Sequence, residues 1–281
     1  MPELPEVETV RAGLEPRLVG RRLERVEILD PRLTRPVDPA GVAAELEGER
    51  VAALGRRGKY LIVRFESRRV LLIHLRMTGQ LLLYANGDLP LAEDAHRRAV
   101  VRLDDGSDVI YRDVRRFGTW QLLEPDELDQ YLAERLGGEP LVRAFTSKRL
   151  AEALAGRRAP VKAVLLDQRR VAGVGNIYAD EALWRAGIHP LRPAAELEAD
   201  EVAALRRGIR AALRAGIARR GATLSNYRTS DGSRGTMQEE FKVYGRACQP
   251  CERCGTPVEK IRAAGRGTWY CPLCQPRSPA P

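Results

Sequence analysis

The sequence predicts an α+β chain of more than one domain, strand-rich in front, helical behind, and closed by a small cysteine-bearing module. Three observations carry this expectation. Short alternating apolar runs separated by turn signals occupy the stretch from about residue 21 to 123. From Pro125 onward the apolar spacing lengthens to that of helices. All five cysteines fall between Cys248 and Cys274. A chain of 281 residues, 44% of them hydrophobic, has room for two cored domains and a small third.

The chain begins Met1-Pro2-Glu3-Leu4-Pro5-Glu6-Val7-Glu8-Thr9-Val10. Pro5 suits the first position of a helix, where its missing N–H costs nothing. Glu6 and Glu8 suit the positive end of the helix dipole. Val7, Val10 and Leu14 recur at helical spacing and give the helix one apolar face. A residue as small as Pro2 ordinarily permits removal of the initiator Met, which would leave a secondary amine beside the Glu3 carboxylate. An α-amine has a reference pKa of about 8, against about 10.4 for Lys, so far more of it is free base at neutral pH. Attack by such an amine on a sugar carbon gives an iminium, an electron sink for elimination. The same ten residues also read as an ordinary surface terminus.

Strands are expected over 22–29, 59–65, 70–75, 80–84, 98–103 and 109–111. Turn signals at Asn86-Gly87-Asp88 and Asp104-Asp105-Gly106 punctuate them, and short strands at this spacing predict a β-sandwich. Arg56-Arg57-Gly58-Lys59 and Arg112 through Gly118 read as basic loops. A Phe among arginines, Phe117, has the pattern of a wedge that enters a base stack, and Met77 could join it; both also read as core residues. His74 and His96, as isolated histidines, read first as structural.

Leu128, Tyr131, Leu132 and Leu136 form a helical face stopped by Gly137. Gly137-Gly138-Glu139-Pro140 reads as a linker. Thr146 caps a helix through Leu154, and 161–168 is a further helical run. Gly173-Val174-Gly175-Asn176 feeds a helix over 177–186 that ends at Gly187. Such a turn presents backbone N–H groups to an anion, with Arg157, Arg158 and Lys162 close by in sequence. Val202, Leu205, Ile209, Leu213 and Ile217 line one face of a long helix whose Arg206, Arg207, Arg210 and Arg214 form a solvated face. Residues 221–240 are polar and Gly-punctuated, a loop long enough to serve as a mobile flap over a bound base.

Cys251-x2-Cys254-x16-Cys271-x2-Cys274 has the spacing of a four-thiolate zinc site. Cys248 and Cys251 form a competing pair, but Gly255 after Cys254 allows the tight turn whose amides face sulfur. Two strands, 258–261 and 268–270, lie between the pairs and set Arg266 at a hairpin tip. Four protein ligands leave no open position, so the zinc is structural, and no catalytic cofactor is expected. Residues 241–281 hold seven Lys or Arg against two Glu, within a whole-chain charge of +9. That balance points to a polyanionic partner. No apolar run is of membrane-spanning length and no secretory signal opens the chain, so no membrane partner is expected. Clustered thiols fit a reducing, intracellular compartment.

Taken together these segments resemble the bacterial formamidopyrimidine-DNA glycosylases, 8-oxoguanine glycosylases with an attached lyase activity. The resemblance runs nearly end to end, through residues 1–9, Gly58-Lys59-Tyr60, His74-Leu75-Arg76-Met77-Thr78-Gly79, Arg115-Arg116-Phe117-Gly118, Gly173-Val174-Gly175-Asn176-Ile177-Tyr178-Ala179, and Val243-Tyr244-Gly245 before the cysteines. It implies an N-terminal catalytic β-sandwich domain with its terminal helix over 1–136, a linker at 137–140, and a helix–two-turn–helix domain over 141–240 with a lesion-capping loop at 221–240. A zinc finger over 241–281 completes it, with DNA in the cleft between the main domains. It implies that Pro2 attacks C1′ of a flipped nucleotide, that Glu3 donates and shuttles protons with Glu6 in support, and that Lys59 and Arg266 serve the two eliminations. Met77, Arg115 and Phe117 match the family's wedge. His74, His96, Arg158, Lys162, Asn176 and Tyr244 match phosphate-gripping positions. The implied partner is double-stranded DNA carrying oxidised bases or abasic sites, met by a monomer in the nucleoid-associated cytoplasm.

The chain departs from the family pattern at three places. Val114 stands where Pro usually precedes the wedge Arg, Arg98 replaces a second His two residues after His96, and Cys248 is extra. Two rivals remain on the residues alone. One is an endonuclease VIII-type glycosylase for oxidised pyrimidines, against which Leu4 and the intact wedge set argue. The other is a non-catalytic zinc protein that binds damaged DNA.

Overall fold

A computed structural model describes residues 1–85 and 94–277. In chain order its elements are α1 (Leu4–Leu18), β1 (Leu23–Ile28), α2 (Pro39–Leu46), β2 (Val51–Arg57), β3 (Tyr60–Phe65), β4 (Val70–His74), β5 (Gly79–Tyr84), β6 (Arg97–Leu103), β7 (Asp108–Asp113) and β8 (Thr119–Leu123). Then come α3 (Glu127–Arg135), α4 (Ser147–Leu154), α5 (Val161–Leu166), α6 (Asn176–Ala186), α7 (Ala199–Ala218), β9 (Glu259–Ala263) and β10 (Arg266–Tyr270). The chain divides into two units, Met1–Leu132 with Arg219–Thr236, and Ala133–Ala218 with the chain from Met237 onward.

The first unit is an antiparallel sandwich of two four-stranded sheets, ordered β1-β6-β7-β5 and β2-β3-β4-β8. Alternation along each strand sends one set of side chains inward. Val26, Leu61, Ile73, Leu81, Val101 and Trp120 from the two sheets meet Val10 and Leu14 of α1 in one buried core. Pro5 stands in the first turn of α1, and Val7, Val10 and Leu14 are buried as their spacing requires. Two strands and a helix had no expectation in the sequence. β2 and β8 flank basic or polar stretches that mask their alternation, and α2 is only eight residues long, started by Asp38, whose carboxylate accepts Gly41 N–H at 2.9 Å. Arg56 and Arg57, expected in a loop, instead close β2 opposite Leu61 and Tyr60. The turn shrinks to Gly58-Lys59, where Gly58 supplies the positive φ (57°) that two-residue hairpin turns need at their first position. The Asn86-Gly87-Asp88 signal lies outside the described residues.

Residues 219–236 pack on this sandwich. Ala222 N–H donates to Glu6 Oε1 at 2.8 Å, Leu83 N–H donates to Ser230 O at 2.8 Å, and the Gln80 amide donates to Asn226 O. The segment expected as a mobile flap therefore has buried anchors, Thr223, Tyr227, Thr229 and Ser230, with Leu224 exposed between them.

The second unit is helical, with the β9–β10 hairpin. Thr146 caps α4 by accepting Arg149 N–H at 3.2 Å, and α6 ends at Gly187 in left-handed conformation (φ 72°). α5 stops two residues short of expectation because Gln168 turns back: its amide accepts Gly173 N–H at 2.9 Å and donates to Val174 O at 2.8 Å, bracing the Gly-rich turn. Gly137 and Gly138, expected as linker, pair with 168–170 (N–H to O, 2.9 and 3.2 Å). A Cβ at Gly137 would lie 2.4 Å from Arg170 O, which explains the glycine. Arg206 and Arg210 are not simply solvated; they donate to the carbonyls of Phe145, Pro140 and Val142.

Candidate active site

In the first unit, Pro2, Glu3 and Lys59 are all buried, while Met1 is exposed. Helix α1 brings this about. Glu3 is its N-cap, and Glu3 N–H donates to Glu6 Oε2 at 2.8 Å. Glu6 uses its other oxygen for Ala222 N–H, so one buried carboxylate ties the chain terminus to the 219–236 segment. Arg56 Nε donates to Glu8 Oε2 at 2.9 Å, binding α1 to the β2–β3 hairpin whose turn carries Lys59. Polar groups this buried need partners or a task, because desolvation without compensation is costly. His74 follows on β4, edge-on to Tyr60 at 4.7 Å. Burial, with the charges of Arg76 and Lys59, pulls its imidazole down to about 3. Nδ1 accepts Arg76 N–H at 2.9 Å, so this neutral ring keeps its proton on Nε2.

The same unit exposes Met77 and Phe117, at 39% and 51%, when most residues of these types are covered. The Arg115 guanidinium lies 4.8 Å from the Phe117 ring centroid. A cavity of about 630 Å³ runs beside them, lined by Arg32, Arg35, Arg76 and Arg116 as well as Met77 and Phe117. His96 is half-buried, its carbonyl accepting Asp113 N–H at 2.9 Å. Arg98, at one of the positions that departs from the family, donates to Asp113 O at 2.9 Å.

In the second unit, Arg158 and Arg266 are exposed, and Asn176 and Tyr244 are half-buried. Arg266 does not sit at the hairpin tip; it opens β10, directly after the Ala264-Gly265 turn. Lys162 departs from its expected role. It is wholly buried, 2.7 Å from the equally buried Asp180, and donates to Thr268 Oγ1 at 2.7 Å and Gly267 O at 3.2 Å. With no exposed surface it offers a phosphate nothing; it braces β10. Asp180 also accepts Trp269 N–H at 3.0 Å, and Asn176 Nδ2 donates to Gly267 O at 3.0 Å. Burial pushes the Asp180 carboxyl up against the pull of Lys162. Glu181, which the sequence did not single out, accepts the N–H groups of Lys242, Val243 and Tyr244 at 2.9, 3.0 and 3.1 Å. Its signal was available: Asp180-Glu181 is an acidic pair flanked by the apolar residues of α6.

The Sγ atoms of Cys251, Cys254, Cys271 and Cys274 all lie within 4.8 Å of one another, and the 251–274 and 254–271 pairs are 3.9 and 3.4 Å apart. Tetrahedral zinc with Zn–S bonds of about 2.3 Å needs S···S near 3.8 Å, so the set fits. Trp184 Nε1–H points at Cys251 Sγ (3.4 Å) and Cys274 N–H at Cys271 Sγ (3.4 Å), the outer partners thiolates require. Cys248 is exposed and outside the cluster. The four cysteines form a structural zinc site.

Such a hairpin on a chain of charge +9 marks the class of zinc-finger proteins that handle nucleic acid. Comparison with known proteins makes the class particular. Residues 1–120 match the formamidopyrimidine-DNA glycosylase N-terminal domain, 136–228 its H2TH domain, and 249–277 the zinc finger found in FPG and IleRS. The chain is 50% identical over 276 residues to the formamidopyrimidine-DNA glycosylase of Roseiflexus sp. strain RS-1, covering 98% of this chain and 100% of that one. Two solved structures superpose with TM-scores of 0.89 at 39% identity, each over 98% of this chain and 100% of the other: MutM with carbocyclic 8-oxo-G containing DNA, and wild-type Lactococcus lactis Fpg with an oxidised-pyrimidine containing DNA. The chain belongs to the formamidopyrimidine-DNA glycosylase family. It is an enzyme, and the reading as a non-catalytic zinc protein gives way. Among the described residues no helix is long and apolar enough to cross a membrane.

Proposed function

We propose that the protein is a bifunctional base-excision repair enzyme that extrudes and excises oxidised purines, 8-oxoguanine and formamidopyrimidines, and then cleaves the strand. The observation that carries this reading is the buried Pro2-Glu3 terminus in the same unit as buried Lys59, beside an exposed Met77/Phe117 pair. Extrusion brings a sugar carbon, otherwise enclosed in the duplex, to the amine. The Pro2 nitrogen bonds to C1′ as the C1′–N bond to the base breaks, and Glu3 supplies the proton that the departing base takes up. Glu3 then takes the proton from the Pro2 nitrogen and passes it to O4′ as C1′–O4′ breaks, opening the sugar to an iminium; this acidifies C2′–H, and loss of that proton expels the 3′ phosphate, with Lys59 as its acid. A second elimination expels the 5′ phosphate, with Arg266 as partner. Met77, Arg115 and Phe117 fill the vacated stack. His74, His96, Arg158, Asn176 and Tyr244 position the backbone, which fixes register and carries no sequence. The 221–240 segment would cap the extruded base. As functional division we take 1–136, a linker at 137–140, 141–240 and 241–281, and action as a monomer at the nucleoid fits a partner that is the chromosome.

Borohydride added to the protein with an 8-oxoguanine·cytosine duplex tests this. A covalent adduct on the N-terminal peptide, absent in Pro2→Gly, is expected, and intact mass should lack Met1, since an amide nitrogen is no nucleophile. Full retention of Met1 with normal strand cleavage would overturn the Pro2 role. The second reading, an oxidised-pyrimidine enzyme, is favoured by the L. lactis relative's complex with such DNA; preferential trapping on thymine glycol would select it.

A further inference from the structure

Two aspartates fix the loop that carries Phe117. Asp113 ends β7 and is 1% exposed. Its Oδ2 accepts Gly118 N–H at 2.8 Å, and its Oδ1 accepts Arg115 N–H at 3.2 Å and the Thr78 hydroxyl. Thr78 Oγ1 in turn accepts Arg115 N–H at 2.9 Å. One carboxylate thus closes both ends of the Phe117 loop and binds it to the turn that carries Met77. Asp30, 3% exposed, lies just past β1. It takes the Arg116 guanidinium as a two-pronged fork, at 2.5 and 2.8 Å, and accepts Arg32 N–H at 3.1 Å. Arg98 joins the two aspartates: its Nε lies 3.9 Å from Asp30 Oδ2 and donates to Asp113 O at 2.9 Å. The fork with Arg116 draws the Asp30 carboxyl below the ordinary carboxylate range.

The backbone shows what this network holds. Arg76 (φ 51°) and Arg116 (φ 59°) are both left-handed, and each immediately precedes an exposed apolar side chain, Met77 or Phe117. For a residue with a Cβ that conformation is disfavoured by about ten-fold in population. A fork onto a buried, fixed carboxylate has the geometry to offset it. We propose that Asp30, supported by Arg98, is a positioning residue that holds Arg116 left-handed and so presets Phe117 for insertion into the base stack. The network supplies to the loop the stiffness that a proline at Val114 would otherwise give. It also occupies Arg116 and leaves Arg115, outside the fork, to meet the base opposite the lesion. This rests on Met77 and Phe117 being the wedge.

The test uses the full zinc-bearing protein and a duplex with 2-aminopurine beside the base opposite 8-oxoguanine, its fluorescence followed after rapid mixing. Phe117→Ala should abolish the insertion phase; if it does not, the wedge reading fails and the positioning role with it. Given that control, Asp30→Asn and Arg116→Gln should slow insertion about ten-fold, the population the fork restores. Arg116→Gln alters a partly exposed side chain, so its melting temperature and its cleavage of single-stranded abasic DNA, which has no stack to open, should match the parent. Arg116→Gly removes the fork but accepts positive φ freely, and should insert faster than Arg116→Gln. Parental insertion in Arg116→Gln, or equal slowing in Arg116→Gly and Arg116→Gln, would overturn the proposal.

Discussion

Asp180→Ala gives the sharpest test of how the second unit holds Arg266. Asp180 and Lys162 are both fully buried and 2.7 Å apart. Removing the carboxylate strips a buried ammonium of its counter-charge while the contacts to Thr268 Oγ1 and Gly267 O stay, and it frees the Trp269 N–H. Breaking one partner of a buried pair costs about 3–5 kcal/mol. For a unit of this size each kcal/mol lowers the melting temperature by roughly 2–4 °C, so the transition should fall by roughly 6–20 °C. Removing both charges, as Lys162→Met with Asp180→Leu, should recover most of that, since a well-packed apolar pair is often no less stable than the ion pair. Thermal melts followed by circular dichroism on the parent, Asp180→Leu, Lys162→Met and the double variant complete the cycle, with Asp180→Ala melted beside them. A drop below about 2 °C in Asp180→Ala, or a coupling energy under about 0.5 kcal/mol, would refute the reasoning.

Three further outcomes are expected. Binding should weaken with salt by about 0.9 log units per log unit for each phosphate neutralised; Arg158→Ala should lower that slope and Lys162→Met should not, because Lys162 has no exposed surface. A changed slope in Lys162→Met would restore it as a phosphate ligand. Metal analysis should find one zinc per chain, retained in Cys248→Ser and lost in Cys254→Ser, with chelation abolishing strand cleavage through loss of the hairpin; zinc loss in Cys248→Ser would break the ligand choice. His74 carries a pH signature: its folded value near 3 lies below its unfolded 6.5, so its stabilisation is full above pH 6.5 and lost as pH falls toward 3. By pH 5 that loss is about 2 kcal/mol. Urea midpoints at pH 7 and 5 should differ less in His74→Gln than in the parent, and superposable profiles would sink the claim.

The parts whose information is local were legible in the chain. Pro5 and the Val7, Val10, Leu14 spacing set α1; the alternating runs set six of the eight sandwich strands; Thr146 and Gly187 set a helix start and a helix end. The paired cysteines determined the metal, because ligand spacing within a hairpin is a local constraint. Segments resembling a known family supplied the chemistry proposed for Pro2, Glu3 and Lys59. Every role set by a distant partner emerged only on folding. Lys162 reads as a phosphate grip until Asp180 and Thr268, from α6 and β10, close around it. Residues 221–240 read as a free flap until Glu6, more than two hundred residues earlier, accepts Ala222 N–H. Asp30, Arg98 and Asp113 read as three unrelated charges and become one clamp on Phe117 only when β1, β6 and β7 are paired. A buried charge is identified by what compensates it, and compensation across the chain is invisible to periodicity and spacing.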